Sequence, residues 1–135
     1  DDWAQLLGRV RADLVVAVAG ADPVGVSRFL RAYPDLRATI GTIPVAVVAN
    51  RLRPGALGID ARGQVRRTLD RFGGIEDLWF LPQDARSADA ALLAAQPIAE
   101  VAPKSPFTLA VRRFVGSIVV PPAGVARRPR RARAA

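Results

Sequence analysis

Three short apolar runs separated by helical patterns dominate the hydropathy of this chain. Asp13 to Gly20, Pro44 to Asn50-Arg51 and Leu78 to Leu81 each end in loop-forming residues, the last in Pro82-Gln83-Asp84. Nearly continuous apolar runs of this length suit strands covered on both faces. Between them the apolar positions fall at helical spacing: Val26, Phe29, Leu30 and Tyr33 in the first interval, Val65, Leu69 and Phe72 in the second. Strands that alternate with amphipathic helices predict an α/β fold, a parallel sheet with flanking helices. The strands are expected at 13–19, 44–50 and 77–81, the middle one lying between the other two because sequential strands usually neighbour one another.

Punctuation residues refine these elements. Gly20-Ala21-Asp22-Pro23 supplies a turn, an N-cap aspartate and a first-turn proline, and Pro34 should bend or end that helix near Leu36. Asp60 is the expected cap of the second helix and Gly73-Gly74 its stop, while Arg62, Arg66, Arg67 and Arg71 lie mostly on its other side. A helix from about Ser87 to Ala95 and a Pro-rich crossing from Pro97 to Pro103 follow. The last helix opens with Ser105 as cap and Pro106 at its first position, and buries Phe107, Val111, Phe114 and Ile118. Near the start, Trp3, Leu6, Leu7 and Val10 form one stripe of a helix already under way. The first strand is too apolar to be an exposed edge, so further strands are expected upstream and the chain reads as a fragment of a longer protein.

Composition changes the picture in two respects. With 135 residues, half of them hydrophobic, the chain can build one core. It contains neither cysteine nor histidine, which excludes disulfides, thiolate or imidazole metal sites and a Ser-His-Asp triad. No run approaches the ~18 apolar residues of a membrane span, so a cytoplasmic location is expected. Five of the eight net positive charges come from Arg127, Arg128, Arg130, Arg131 and Arg133, leaving +3 for the remainder. The sequence therefore divides into an α/β part, 1–120, and a disordered Arg/Pro-rich tail, 121–135. That tail could contact nucleic acid or anionic lipid; the plainer reading, a solvated terminus in a chain that prefers Arg to Lys, is favoured.

Parallel sheets hold ligands at the carboxyl ends of their strands, where this chain places Asn50, Arg51, Pro82, Gln83 and Asp84. An amide donates and accepts at one base edge, so Asn50 suits adenine recognition, although an Asx turn would use the same residue. Arg51 could stack on a base or meet a phosphate, or be plain surface. The backbone of Pro82-Gln83-Asp84 could line a base pocket, or simply turn into the next helix with Asp84 as cap. Asp22 reads as a helix cap. A phosphate loop of the GxxxxGK type is absent, the only lysine is Lys104, and Gly20 with Gly25 does not complete GxGxxG. No complete catalytic constellation is present.

The order of these segments resembles the C-terminal half of the MinD/ParA group of P-loop ATPases, including its CpaE-like pilus-assembly and septum-site members. Ala12-Asp13-Leu14-Val15-Val16-Ala17-Val18 is similar to the family's "ADLVVVV" strand, and Ala21-Asp22-Pro23-Val24-Gly25-Val26 to its "xxDPxSV" helix start. Val47-Val48-Ala49-Asn50-Arg51 resembles "VVNR", and Phe80-Leu81-Pro82-Gln83-Asp84 resembles "hPxD". Residues 90–97 and the segment from Lys104-Ser105-Pro106 are similar to the last two helical motifs. The resemblance covers about residues 12–118 and implies a P-loop NTPase-like fold that lacks its phosphate-binding segment. It implies ATP as cofactor, with Asn50 on the adenine and the loop at Pro82 completing the base pocket, while magnesium is held only by the absent N-terminal half. It further implies an ATP-closed homodimer that positions machinery such as pilus or secretion complexes, peripheral to the inner face of a membrane or on DNA. A non-enzymatic α/β interaction module is the alternative.

Overall fold

A computed structural model describes residue 6, residues 12–55 and residues 60–118. The Arg-rich tail and, Leu6 excepted, the stripe at Trp3–Val10 lie outside these residues; Leu6 itself is helical and exposed. The described chain runs β1 (Val15–Gly20), α1 (Pro23–Ile40), β2 (Val45–Leu52), α2 (Ala61–Gly73), β3 (Leu78–Pro82), α3 (Ala85–Ala94), α4 (Ile98–Val101) and α5 (Pro106–Ile118). The strands form one sheet in the order β1-β2-β3, and both pairings are parallel. This is the strand order and direction expected from the sequence.

One face of the sheet carries most of the core. Val47, Ala49 and Leu78 pack there with Val26 of α1 and Val65 and Leu69 of α2. Ala17 joins Leu36 and Ile40 of α1 in a second cluster. On the opposite face α5 covers β3, where Trp79 meets Phe114 edge-on with ring centroids 5.6 Å apart. Helices thus flank both faces, but unevenly. Val16 and Val18, which point away from α1, are 41% and 57% exposed, and β1 is an edge strand among the described residues. Among the described residues no element covers Val16 and Val18; the further strand expected beside β1 would come from upstream of Asp1, outside this sequence. An unbroken apolar run does not say which of its alternating side chains finds a helix.

Helix ends follow local chemistry closely. Asp22 caps α1 through Oδ1, which accepts from the Gly25 N–H at 2.8 Å, and Asp60 caps α2 in the same way from Gly63 at 2.9 Å. Gly74 closes α2 in the left-handed region with φ 63°, and the Ile75 N–H donates to the Leu69 carbonyl at 3.1 Å. That Schellman closure carries Ile75 into the core beside Leu69.

Two expectations fail for tertiary reasons, and of the two readings of Pro34, bend or end, the ending is excluded. α1 does not end near Leu36 but continues through Pro34 to Ile40. A proline inside a helix costs about 3 kcal/mol, which burial of Leu36 and Ile40, each worth about 1.5–3 kcal/mol, offsets. Phe72 is 69% exposed because Ile75, not Phe72, completes the buried row begun by Val65 and Leu69. In α5 the buried residues are Thr108 and Phe114, while Phe107, Val111 and Ile118 are half-buried. The crossing after Pro97 also contains the short helix α4.

Leu69 is fully buried; Leu69→Ala should cost about 2–5 kcal/mol in urea unfolding, whereas Phe72→Ala should change stability by under about 0.5 kcal/mol. Equal effects would mean that α2 packs by another face.

Candidate functional site

At the carboxyl end of β2 the backbone departs from regular strand geometry. Asn50 still pairs in register with Gly20, and its carbonyl accepts from the Ala21 N–H at 2.8 Å. The next residue, Arg51, has φ 59°, and the ladder between β2 and β3 shifts register between Ala49 and Leu52. A left-handed conformation at a residue with a β-carbon costs about 1–2 kcal/mol. Such bulges re-aim side chains at the ends of strands. The Asn50 Oδ1 accepts from the Arg51 N–H at 2.9 Å, which supports this turn. One lone pair of that oxygen and both amide protons remain for another partner.

Arg51 reaches back over β1. Its Nη2 lies 3.5 Å from the position a Gly20 β-carbon would occupy, and Asp22 Oδ2 lies 2.9 Å from the same point. Gly25 approaches Gly20 still more closely: a β-carbon on Gly25 would sit 2.6 Å from the Gly20 carbonyl oxygen. Glycine is therefore required at Gly25 to bring the start of α1 against the end of β1.

At the end of β3 the Gln83 N–H donates to the Leu52 carbonyl at 2.9 Å, which holds the two strand ends together. Asp84 caps α3, its Oδ1 accepting from the Ser87 N–H at 3.1 Å. Its Oδ2 is buried without a hydrogen-bond partner and faces the start of α5. The Ser87 hydroxyl and amide, with lesser help from Ser105 and the Phe107 amide, hold the Asp84 carboxyl below its usual pKa, against the opposing effect of burial. The carboxylate thus faces the positive ends of two helices at once. Ser105 caps α5 as expected, its Oγ accepting from the Thr108 N–H at 3.1 Å, and the Thr108 hydroxyl donates to the Ala102 carbonyl at 2.7 Å.

These strand ends enclose a cavity of about 400 Å³, and Asn50, Arg51, Pro82, Gln83 and Asp84 all line it. Its volume falls in the range of small-molecule pockets. Asp89, Ile98 and Phe107 line it as well and were not anticipated. Phe107 carried an apolar signal that pointed equally well to the core, and Ile98 reaches the cavity only because α4 folds back. With two carboxylates and one guanidinium on its walls, the cavity suits a neutral, hydrogen-bonding planar group better than a phosphate. A larger cavity of about 630 Å³ lies between α1 and α2, lined mainly by apolar residues including Val26, Leu30, Val65 and Phe72. Asp22, Ser27, Arg31, Gln64 and Thr68 also line it, and Asp22 is already engaged as the cap of α1. Among the described residues no cluster of three acidic side chains could hold a metal, and no helix is long and apolar enough to cross a membrane.

No family model matches the chain, and no match to it was found among curated proteins.

Because the Asp84 pKa is lowered on folding, its contribution to stability is fully present above pH 3.8 and declines as pH falls below that value through the folded-state pKa. Asp84→Asn should flatten this acid limb of urea-unfolding midpoints while α3 stays capped. An unchanged limb would show that the carboxylate is not coupled to the helix ends.

Proposed function

We propose that this chain forms the adenine-side part of a MinD/ParA-like ATP-binding protein with a P-loop NTPase-like fold. In this reading it acts in cellular positioning, pilus assembly or secretion. The observation that carries the proposal is the convergence of Asn50, Arg51, Pro82, Gln83 and Asp84, chosen from strand-end motifs, on one cavity. Asn50 reads the base edge with its amide, the Pro82-Gln83 backbone forms one wall, and Phe107 offers a ring against the base plane. Phosphates and their magnesium are held by a separate N-terminal half, which also supplies the hydrolytic machinery. ATP then closes a homodimer at the inner face of a membrane or on DNA.

One observation favours the alternative, an α/β interaction module without nucleotide chemistry. The bond from Asn50 Oδ1 to the Arg51 N–H makes Asn50 a turn former whether or not a base binds.

Two measurements separate these readings. The chain alone should show negligible ATP turnover and only weak nucleotide binding, because phosphate contacts supply much of a nucleotide's affinity. Submicromolar ATP binding in calorimetry would refute the division of the site. In saturation-transfer NMR with adenosine and guanosine, the adenine ring protons should be favoured. Asn50→Ala should erase that preference on the scale of about 1–3 kcal/mol typical of a bidentate amide–base contact. Asp22→Ala, which removes a cap worth roughly 0.5–2 kcal/mol, should lower stability and leave the preference alone. A preference unaltered by Asn50→Ala would make Asn50 a turn residue only.

A further inference from the structure

A second groove lies over the outer edge of β3, distinct from the strand-end cavity and independent of the nucleotide reading. It encloses about 630 Å³ between α2 on one face of the sheet and α5 on the other. Leu78, Trp79, Phe80 and Pro82 form its floor, and Arg62, Arg66, Lys104 and Arg113 stand around it. No acidic side chain lines it among the described residues. We infer that this groove binds an extended acidic segment of another protein, which pairs with β3 as an added strand.

Backbone, rings and charge support that occupant together. Among the described residues β3 pairs on one side only, with β2. The Gln83 N–H points to Leu52 of β2. Alternation along the strand therefore turns the N–H and C=O of Leu78 and Phe80 outward, toward the groove. An added strand can satisfy these groups with main-chain hydrogen bonds. Four cations on both walls match carboxylates that project to alternate faces of such a strand. The same charge would attract single-stranded nucleic acid, but that ligand needs free ring faces on which bases stack. Phe80 has none to offer: one face packs on the core, and the guanidinium carbons of Arg62 and Arg66 lie 4.9 and 5.4 Å from its centroid. Trp79 meets Phe114 edge-on and is a single ring, short of the successive platforms on which a bound single strand stacks. The arginines are held over Phe80 and already positioned at the edge, which lowers the entropy lost when they meet carboxylates.

The test uses a fluorescein-labelled peptide of paired Glu and paired Val residues, which carries carboxylates on both faces and is about six residues long to match a typical strand. Its binding is followed by polarisation and by Trp79 emission with Trp3 replaced by Phe. The peptide should bind in low salt, and the double variant R62E/R113E, its fold checked by circular dichroism, should weaken binding by ~10-fold or more. The same peptide N-methylated at every backbone amide keeps its charge and loses its donors on both edges, and should not bind. Any of three results would overturn the inference: no binding of the acidic peptide, equal binding of the N-methylated peptide, or tighter binding of an oligothymidylate of equal charge. The first would leave the cations as guards of an open edge, the second as a nonspecific anion surface, and the third as a nucleic-acid groove.

Discussion

Parallel pairing of β2 with both its neighbours is the constraint on which the rest of the structure depends. Val47, Val48 and Ala49 at its centre are 3%, 1% and 0% exposed. Because all three strands point the same way, each connection must return over the sheet, and each return carries a helix. The short side chains of Ala17 and Ala49 let α1 and α2 lie close on one face, which buries Leu69 and Val26 between them. The same parallel register brings Gly20, Asn50 and Pro82 to a single end of the sheet, Gly20 opposite Asn50 and Pro82 opposite Leu52. The cavity at that end is a consequence of strand direction before it is a consequence of any side chain.

Capping and turn hydrogen bonds at that end of the sheet use up polar groups. Asp22 is spent on the start of α1, and Asp84 lies between the starts of α3 and α5. Asn50 supports the left-handed turn at Arg51 with one of its lone pairs. What remains around the cavity is therefore limited: the Asn50 amide protons, the Arg51 guanidinium, the Gln83 side chain, Asp89 and the apolar groups beside them. Such a wall can read the edge of a planar ligand, but one guanidinium beside two carboxylates is a poor cradle for phosphates, which need several free N–H donors.

The cations of α2 have a part that helical periodicity alone does not reveal. Arg62 and Arg66 do not simply face water. They lie on the Phe80 ring beside the edge of β3 that has no partner among the described residues, opposite Lys104 and Arg113 from the other face of the sheet. Charge and Pro82 together discourage pairing with an apolar strand at this edge, as charged edges do in other sheets. Selectivity for an acidic strand uses the same charges, since repelling one partner and attracting another are two outcomes of one field.

Local residues determined a large share of this protein. The apolar runs, their spacing and the intervening helical patterns specified three strands, their parallel direction and their order. Asp22, Asp60, Asp84 and Ser105 marked helix starts, and Gly74 marked a stop, because caps act through hydrogen bonds within a few residues. The strand-end positions of Asn50, Arg51, Pro82, Gln83 and Asp84 were also readable, and the fold gathers all five around one cavity. Only the tertiary structure decided that α1 runs through Pro34, that Ile75 displaces Phe72 from the core, and that Val16 and Val18 stay uncovered. It alone brought Phe107 and Ile98 to the cavity and Arg62 and Arg66 onto Phe80. The physical reason is common to all of these. Caps and periodicity are local, whereas burial is settled by competition among distant side chains for a limited area of sheet.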